Sequence, residues 1–286
     1  MLPRQPPECY PPAANGAERV AAQAAGAPRA TLARAHALRG KVLTRMITLG
    51  IDMASQPQRT AACRLRWEVG QATILEITSG VTDDEFQMLI QEPADKIGID
   101  VPLGWPTAFV EAMSRHAIGQ PFGTASQQEL AYRATDRELG ENHQGWPLSV
   151  SADRLAYPAM RAARLLGAFD RSGQGRVVEV YPALALRKWG LPHRSYKGLV
   201  NRSSLEELLT ALRAKAPWLI VTCDQWTQLT NDDNCADALI ASLVARSAAL
   251  GLCDPIPPDQ LERARREGWI AVPPADGLSR LGAVPG

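Results

Sequence analysis

Met46-Ile-Thr-Leu-Gly-Ile-Asp-Met53 is a short apolar run that closes on a single carboxylate, Asp52. Ala54-Ser-Gln-Pro57 breaks it, and a second strand-like run follows from Arg59 to Trp67. A carboxylate inside an apolar strand is costly to bury unless a cation compensates it. The chain repeats the pattern. Lys96-Ile-Gly-Ile-Asp100 is another apolar strand with a Gly and a terminal Asp, and Val177-Val-Glu-Val180 holds Glu179. Asp233 and Asp237 stand at the start of a long amphipathic helix. If these acids converge, they form a cation site.

Working outward, Cys63, Leu65 and Trp67 alternate with Arg64, Arg66 and Glu68, which predicts a half-buried strand over 59–67. Gly70 turns the chain into a third strand over 72–77, so the start is an antiparallel meander. Thr82-Asp-Asp-Glu85 has the spacing of a capping box and predicts a helix that stops before Pro93. A fourth strand covers 97–101, and Pro102-Leu-Gly-Trp-Pro106 forces a loop directly after Asp100. Helices are expected at about 106–117, 125–131, 152–168, 183–189, 204–214 and 232–250, with Pro158 kinking its helix or splitting off the first turns. A fifth strand is expected at 176–181 and a last one at 268–273. Residues 132–147 read as a polar stretch and loop, and 218–222 as either strand or helix. This order predicts an α/β fold with a mixed sheet flanked by helices. In open sheets the functional site lies beyond the carboxyl ends of the parallel strands, where Asp52 and Asp100 both fall.

No apolar run approaches the roughly 18 residues of a membrane span, which predicts a soluble protein without a membrane partner. The five cysteines form no Cys-x-x-Cys pair, which argues against a zinc site and a disulfide framework and suits the cytoplasm. Residues 1–45 carry seven Lys/Arg against two Glu (+5), whereas 46–286 carry 24 against 28 (−4). A mildly acidic body is not the footprint of strong nonspecific DNA binding. Residues 1–45 read as a disordered extension, 46–274 as one domain and 275–286 as a flexible tail.

With those pieces placed, the chain resembles domain-of-unknown-function family 429, whose members are predicted nucleases with an RNase H-like fold. The resemblance rests on Leu49-Gly-Ile-Asp52, Ile97-Gly-Ile-Asp-Val-Pro-Leu-Gly-Trp-Pro106, Tyr132-Arg-Ala-Thr-Asp136 and Val178-Glu-Val-Tyr-Pro182. Asp237-Ala-Leu-Ile-Ala241 and Gly268-Trp-Ile-Ala-Val-Pro273 extend it over roughly 46–274. It implies sheet order 3-2-1-4-5 with strand two antiparallel, and a metal-dependent carboxylate site. Related folds carry a second acid three residues before the helix Asp, where this chain has Asn234; Asp233 stands one residue earlier.

Hydrolysis of a phosphodiester by two Mg²⁺ or Mn²⁺ ions needs hard oxygen ligands. The resemblance implies Asp52 bridging two ions, Asp100 and Glu179 on one, and Asp237 with Asp233 on the other. Each has a plainer reading: Asp52 as a turn former, Asp100 as a loop cap, Glu179 as the partner of a buried Arg, Asp233 as a helix-start residue. Asp237 resists it, since at about 100° per residue it lies about 20° from Val244 on the edge of the helix's apolar stripe. Arg133, Asp136 and Lys197 are expected to bind substrate phosphate, with an ion-pair network as the alternative for Arg133 and Asp136. The expected function is a divalent-metal-dependent nuclease or phosphoester hydrolase acting on nucleic acid. The alternatives are a silent nucleic-acid-binding or scaffold module, and an ATP-using relative of the actin and sugar-kinase type. The last needs a second domain and a Gly-rich turn after strand one, and Asp52-Met-Ala-Ser55 has no Gly.

Overall fold

The computed structural model describes residues 45–142 and 146–283; the expected N-terminal extension, up to residue 44, lies outside them. Six strands form one sheet: β1 (Met46–Asp52), β2 (Ala61–Glu68), β3 (Gln71–Ser79), β4 (Lys96–Asp100), β5 (Val177–Glu179) and β6 (Leu219–Ile220). Their order is β5-β4-β1-β2-β3-β6. Strand β2 is antiparallel to β1 and β3, and the other pairs are parallel. The expected order 3-2-1-4-5 is therefore present, with one more edge strand outside β3. The stretch 218–222 supplies it. The expected strand at 268–273 reduces to a single bridge between Glu179 and Ile270.

The helices that matter most here are α1 (Asp83–Gln91), α2 (Thr107–Ala117), α3 (Gln127–Ala131), α4 (Ala134–Asn142) and α5 (Ala156–Leu166). After β5 come α6 (Pro182–Lys188), α7 (Arg202–Lys215), α8 (Cys223–Asn231), α9 (Asp233–Ala249), α10 (Leu261–Glu267) and α11 (Gly277–Leu281). The Thr82–Glu85 capping box starts α1 as expected. Helices α4, α8 and α10 were not foreseen. For α8 a signal existed: Thr222 and Gln225 form a second capping box. The expected flexible tail is corrected in part, because α11 buries Leu278 and Leu281 in the core, where apolar burial outweighs the cost of ordering a short helix.

Alternation along β1 sorts its side chains onto two faces. Leu49 and Ile51 join Ile97 and Ile99 of β4, Phe86 of α1 and Ala162 of α5 in one core. The opposite face holds Thr48, Gly50 and Asp52, and α9 lies across it. Gly50 and Gly98 are register partners in β1 and β4. A Cβ on Gly50 would stand 2.0 Å from the Ala238 carbonyl oxygen, and one on Gly98 2.3 Å from that of Ala241. The two glycines thus let α9 rest its backbone on the sheet. Thr48 and Ser242 hydroxyls bond at 2.7 Å across the same contact, and Trp67 Nε1 donates to Thr48. Leu186 of α6, Leu208 and Leu212 of α7, and Leu239 and Leu243 of α9 complete this second core. The sheet is therefore covered on both sides.

Among the described residues no helix is long and apolar enough to cross a membrane. Among the described residues Cys63, Cys235 and Cys253 are free thiols.

Candidate functional site

Because β1 and β4 are parallel and in register, Asp52 and Asp100 end side by side. Both stand two residues after a glycine that faces α9, so alternation points both toward that helix. The first turn of α9 comes down over them. Asp232 caps it, accepting from the Asn234 amide, and Asp237 follows one turn on, fully buried at 0% exposure. A helix that packs across its whole length buries even a charged residue on its stripe.

One loop closes onto these acids through three consecutive residues. The Tyr196 hydroxyl donates to Asp237 Oδ1 at 2.7 Å. Lys197 Nζ lies 2.5 Å from Asp237 Oδ2. The Gly198 amide donates to Asp233 Oδ1 at 3.2 Å. Gly198 has φ +87° and Ser195 φ +57°, so the backbone is bent through left-handed conformations on both sides of the Tyr-Lys pair.

The electrostatics follow from burial and crowding. Burial, then the charges of Asp100 and Asp237, push the Asp52 carboxyl well up. Asp100 is pushed up to about 7 by burial and by Asp237 and Glu179, against the pull of Lys197. Burial likewise raises Asp237, opposed by Lys197 and the Tyr196 hydroxyl. Burial disfavours the Lys197 ammonium, but Asp237, Asp100 and Asp52 together outweigh it and hold it protonated. Four aspartates thus act on one another around a single lysine.

A family model described as a protein of unknown function, DUF429, matches residues 50–262, from the glycine of β1 into α10. The chain belongs to the DUF429 family. No curated protein and no solved structure matches it.

In this DUF429 protein the other expected site residues gather into a separate, closed network. Arg133 Nη1 and Nη2 donate to both oxygens of Glu179 at 2.7 Å each, and Nε and Nη2 reach Asp136 at 3.0 and 2.8 Å. The Leu103 amide adds a third donor to Glu179. Arg133 and Asp136 are buried and saturated, so the expected substrate-binding role is corrected: no donor of Arg133 faces solvent. Glu179 is corrected with them, from metal ligand to ion-pair partner, since its oxygens already accept three N–H groups. Its charge is still felt at Asp100. Asp233, expected on a metal, presents one oxygen to the Gly198 amide and still acts on Asp52 and Asp237. The Asn234 side chain is engaged by the Asp232 cap.

Sequence reasoning did not find Glu267. Its carboxylate accepts from the first amides of α2 (Thr107, 2.9 Å) and α4 (Ala134, 2.7 Å), and its backbone oxygen accepts from Arg133. Among the arginines of α10 it reads as one more solvated charge. Helix α10 also lines a cavity of about 520 Å³ with α2 and α3, in which none of the four aspartates takes part.

The acidic cluster can be tested as a cation site on its own atoms. Asp237 Oδ2 is fully buried, and its partner is the Lys197 ammonium at 2.5 Å. Buried, hard oxygen donors short of countercharge suit Mg²⁺ or Mn²⁺. Among the described residues, however, no three His, Cys, Asp or Glu groups are gathered so as to hold a metal ion. The donor type suits such an ion, but the acids are not gathered to hold one, and Lys197 supplies the countercharge at Asp237.

Proposed function

We propose that this DUF429 protein is a divalent-metal-dependent nuclease or other phosphoester hydrolase of RNase H-like fold. The observation that carries this reading is the set Asp52, Asp100 and Asp237, at the carboxyl ends of two parallel strands and the first turns of α9. Asp100 and Asp237 raise the proton affinity of Asp52, Asp237 raises that of Asp100, and Lys197 opposes the shift at all three. Asp52, Asp100 and Asp237, with Asp233 at the edge, would hold Mg²⁺ or Mn²⁺. When bound, such an ion polarises a phosphoryl oxygen and lowers the pKa of a bound water. Tyr196 orients Asp237, and burial of that carboxylate keeps water from competing for it. Lys197, whose side chain is more than half exposed, is the cation that would meet an anionic substrate.

Single-stranded, duplex, hybrid and branched nucleic acids, incubated with the protein and Mg²⁺ or Mn²⁺, test the reading. Divalent-dependent cleavage that disappears in Asp52→Asn and Asp237→Asn supports it; metal-independent or absent cleavage of every substrate removes it. A second reading, a silent nucleic-acid-binding module, draws on the lysine that already balances the acids. It predicts binding that is indifferent to Asp52→Asn. A cytoplasmic location belongs to the same proposal.

A further inference from the structure

From Val180 to Leu205 the chain holds Arg187, Lys188, Arg194, Lys197 and Arg202 and no Asp or Glu, in a body of net charge −4. The fold sets this stretch beside the aspartates. Val180 donates its amide to the Ile99 carbonyl, so Tyr181 follows just past Asp100 at the strand ends. Burial and Asp100 raise the Tyr181 hydroxyl, while Lys197, Arg187 and Arg194, whose charges reach it, pull it down. Lys188 is drawn off to Asp254, whereas Arg194 and Arg202 are exposed and meet no carboxylate among the described residues. The turn between them is held firmly. Tyr196 is buried and bonded to Asp237, and the Gly198 amide donates to Asp233. Asn201 donates its amide to the Gly198 carbonyl and its Nδ2 to that of Lys197. On that turn Leu199 and Val200 stand 89% and 92% exposed. Arg202 follows Leu199 by three residues across a 3-10 turn, which brings i and i+3 to one side. Single apolar residues are ordinary on a surface. A fastened turn that holds two adjacent ones in water between unpaired arginines is a different arrangement.

We infer that the turn from Arg194 to Arg202 is a lip that takes a single strand of nucleic acid, with Arg194 and Arg202 on its phosphates and Leu199 and Val200 against its bases. A single strand is thus the substrate form for the nucleic-acid reading above, on which this inference rests for the choice of ligand. Such a strand offers phosphates and base faces together, the two chemistries that the lip interleaves. In a duplex the base faces are stacked inside and closed to a protruding leucine. Tyr181, between these cations and Asp100, adds a half-exposed ring on which a base can stack. Lys197 stays on Asp237 and contributes its field. An anionic membrane fits less well. It is a plane that meets the whole face of a body of net −4, whereas a strand confined to the lip is screened from charges more than about 10 Å away.

Binding is read without cleavage by fluorescence anisotropy of a labelled oligothymidylate in chelator, with full-length protein and KCl varied. Each phosphate contact to a single strand contributes about 0.7 to the log–log slope of affinity against salt. We expect Arg194→Gln and Arg202→Gln each to lower that slope by about 0.7 and to weaken binding about five-fold near 0.1 M KCl. Leu199→Ser combined with Val200→Ser should weaken binding and leave the slope unchanged. Arg66 pairs with Ile47 at the opposite end of β1 from Asp52, so Arg66→Gln removes the same charge without effect. The wild-type protein should prefer oligothymidylate to its duplex with oligoadenylate and to vesicles of phosphatidylcholine with phosphatidylserine. All the substituted side chains are exposed, and the wild-type preferences stand without them. Wild type that ignores oligothymidylate, or Arg194→Gln and Arg66→Gln that weaken binding alike, overturns the lip; so does tighter binding to the duplex or the vesicles. Any of these results leaves the hydrolase reading to its own assay, because a small phosphoester needs no lip. Strand binding that depends on Arg194 and Leu199, with no cleavage of any substrate by wild type in Mn²⁺, overturns that reading and keeps the lip.

Discussion

Asp52→Asn changes one charge at nearly constant shape, which makes it the sharpest probe of the acidic cluster. At about 5 Å and an effective dielectric near 20, a like-charge pair costs on the order of 3 kcal/mol before protonation and water relieve it. The metal-free Asn variant should therefore unfold at equal or higher denaturant than wild type at pH 8, and lose most of the stabilisation that divalent ions confer. A less stable variant with an intact metal response would make Asp52 a turn residue. Asp100 gives the matching pH dependence. Its folded pKa is raised to about 7, by burial first, so the folded state binds more protons than the unfolded one. That contribution is complete below the ordinary carboxylate range and is lost as pH rises through about 7. Between about pH 5 and 8 the metal-free wild type should lose stability relative to Asp100→Asn in urea titrations. Arg133 behaves in the opposite sense. Arg133→Met strands Glu179 and Asp136 in the interior, and loss of one partner from a buried pair costs about 3–5 kcal/mol. A variant of near wild-type stability would mean that Arg133 is not the structural pivot described above.

At the level of strands and helices, the decisive contact is α9 on β1 and β4. Gly50 and Gly98 are not there for backbone freedom; neither adopts positive φ. They are there because anything larger collides with α9 at about 2 Å from its carbonyls. Helix backbone cannot yield as a side chain tip can. Gly50→Ala must lift α9 from the sheet, at a cost of about 3 kcal/mol or more by the scale of overpacked cores. Since Asp237 travels with the helix, the variant should also lose its divalent response in thermal melts. Retention of both stability and response would show that α9 is free to slide. The same contact explains why Asp52 and Asp100 each follow a glycine by two residues: i and i+2 share a face, so the residue that admits the helix and the acid that meets it must be two apart.

For the molecule as a whole, the balance of charge bears on what it does. A body of net −4 beside a strongly basic first segment gives no broad attraction for nucleic acid, and leaves recognition to local groups such as Lys197. Metal binding should be visible as global stability. With Mg²⁺ at about 100 times its Kd, mass action adds about 2.7 kcal/mol, and for a folded body of this size that raises Tm by roughly 5–10 °C. Differential scanning calorimetry with Mg²⁺, with Ca²⁺ and with chelator checks this; identical melts in all three would leave the cluster without a metal.

What could be read in the chain before folding was whatever repeats over a few residues. Apolar runs marked β1 and β4 and alternation marked β2, the Gly-x-Asp repeat marked the two strand ends, and the helical period put Asp237 at the edge of the apolar stripe of α9, a helix that the fold buries on every side from Cys235 to Ser247. Each is a consequence of covalent geometry, which fixes where residues i+2 or i+3 point. The pairing of the charges was not legible in that way. Arg133 meets Glu179 across 46 positions and Lys197 meets Asp237 across 40, and nothing periodic links either pair. Glu267 joins α2 to α4 from more than 130 residues away, and β6 is held by two residues that pair only because β3 is already in place. A carboxylate has the same local signature whether it ends on a metal, an arginine or a helix amide. Which of these it meets is set by the chain path that brings the partner to it.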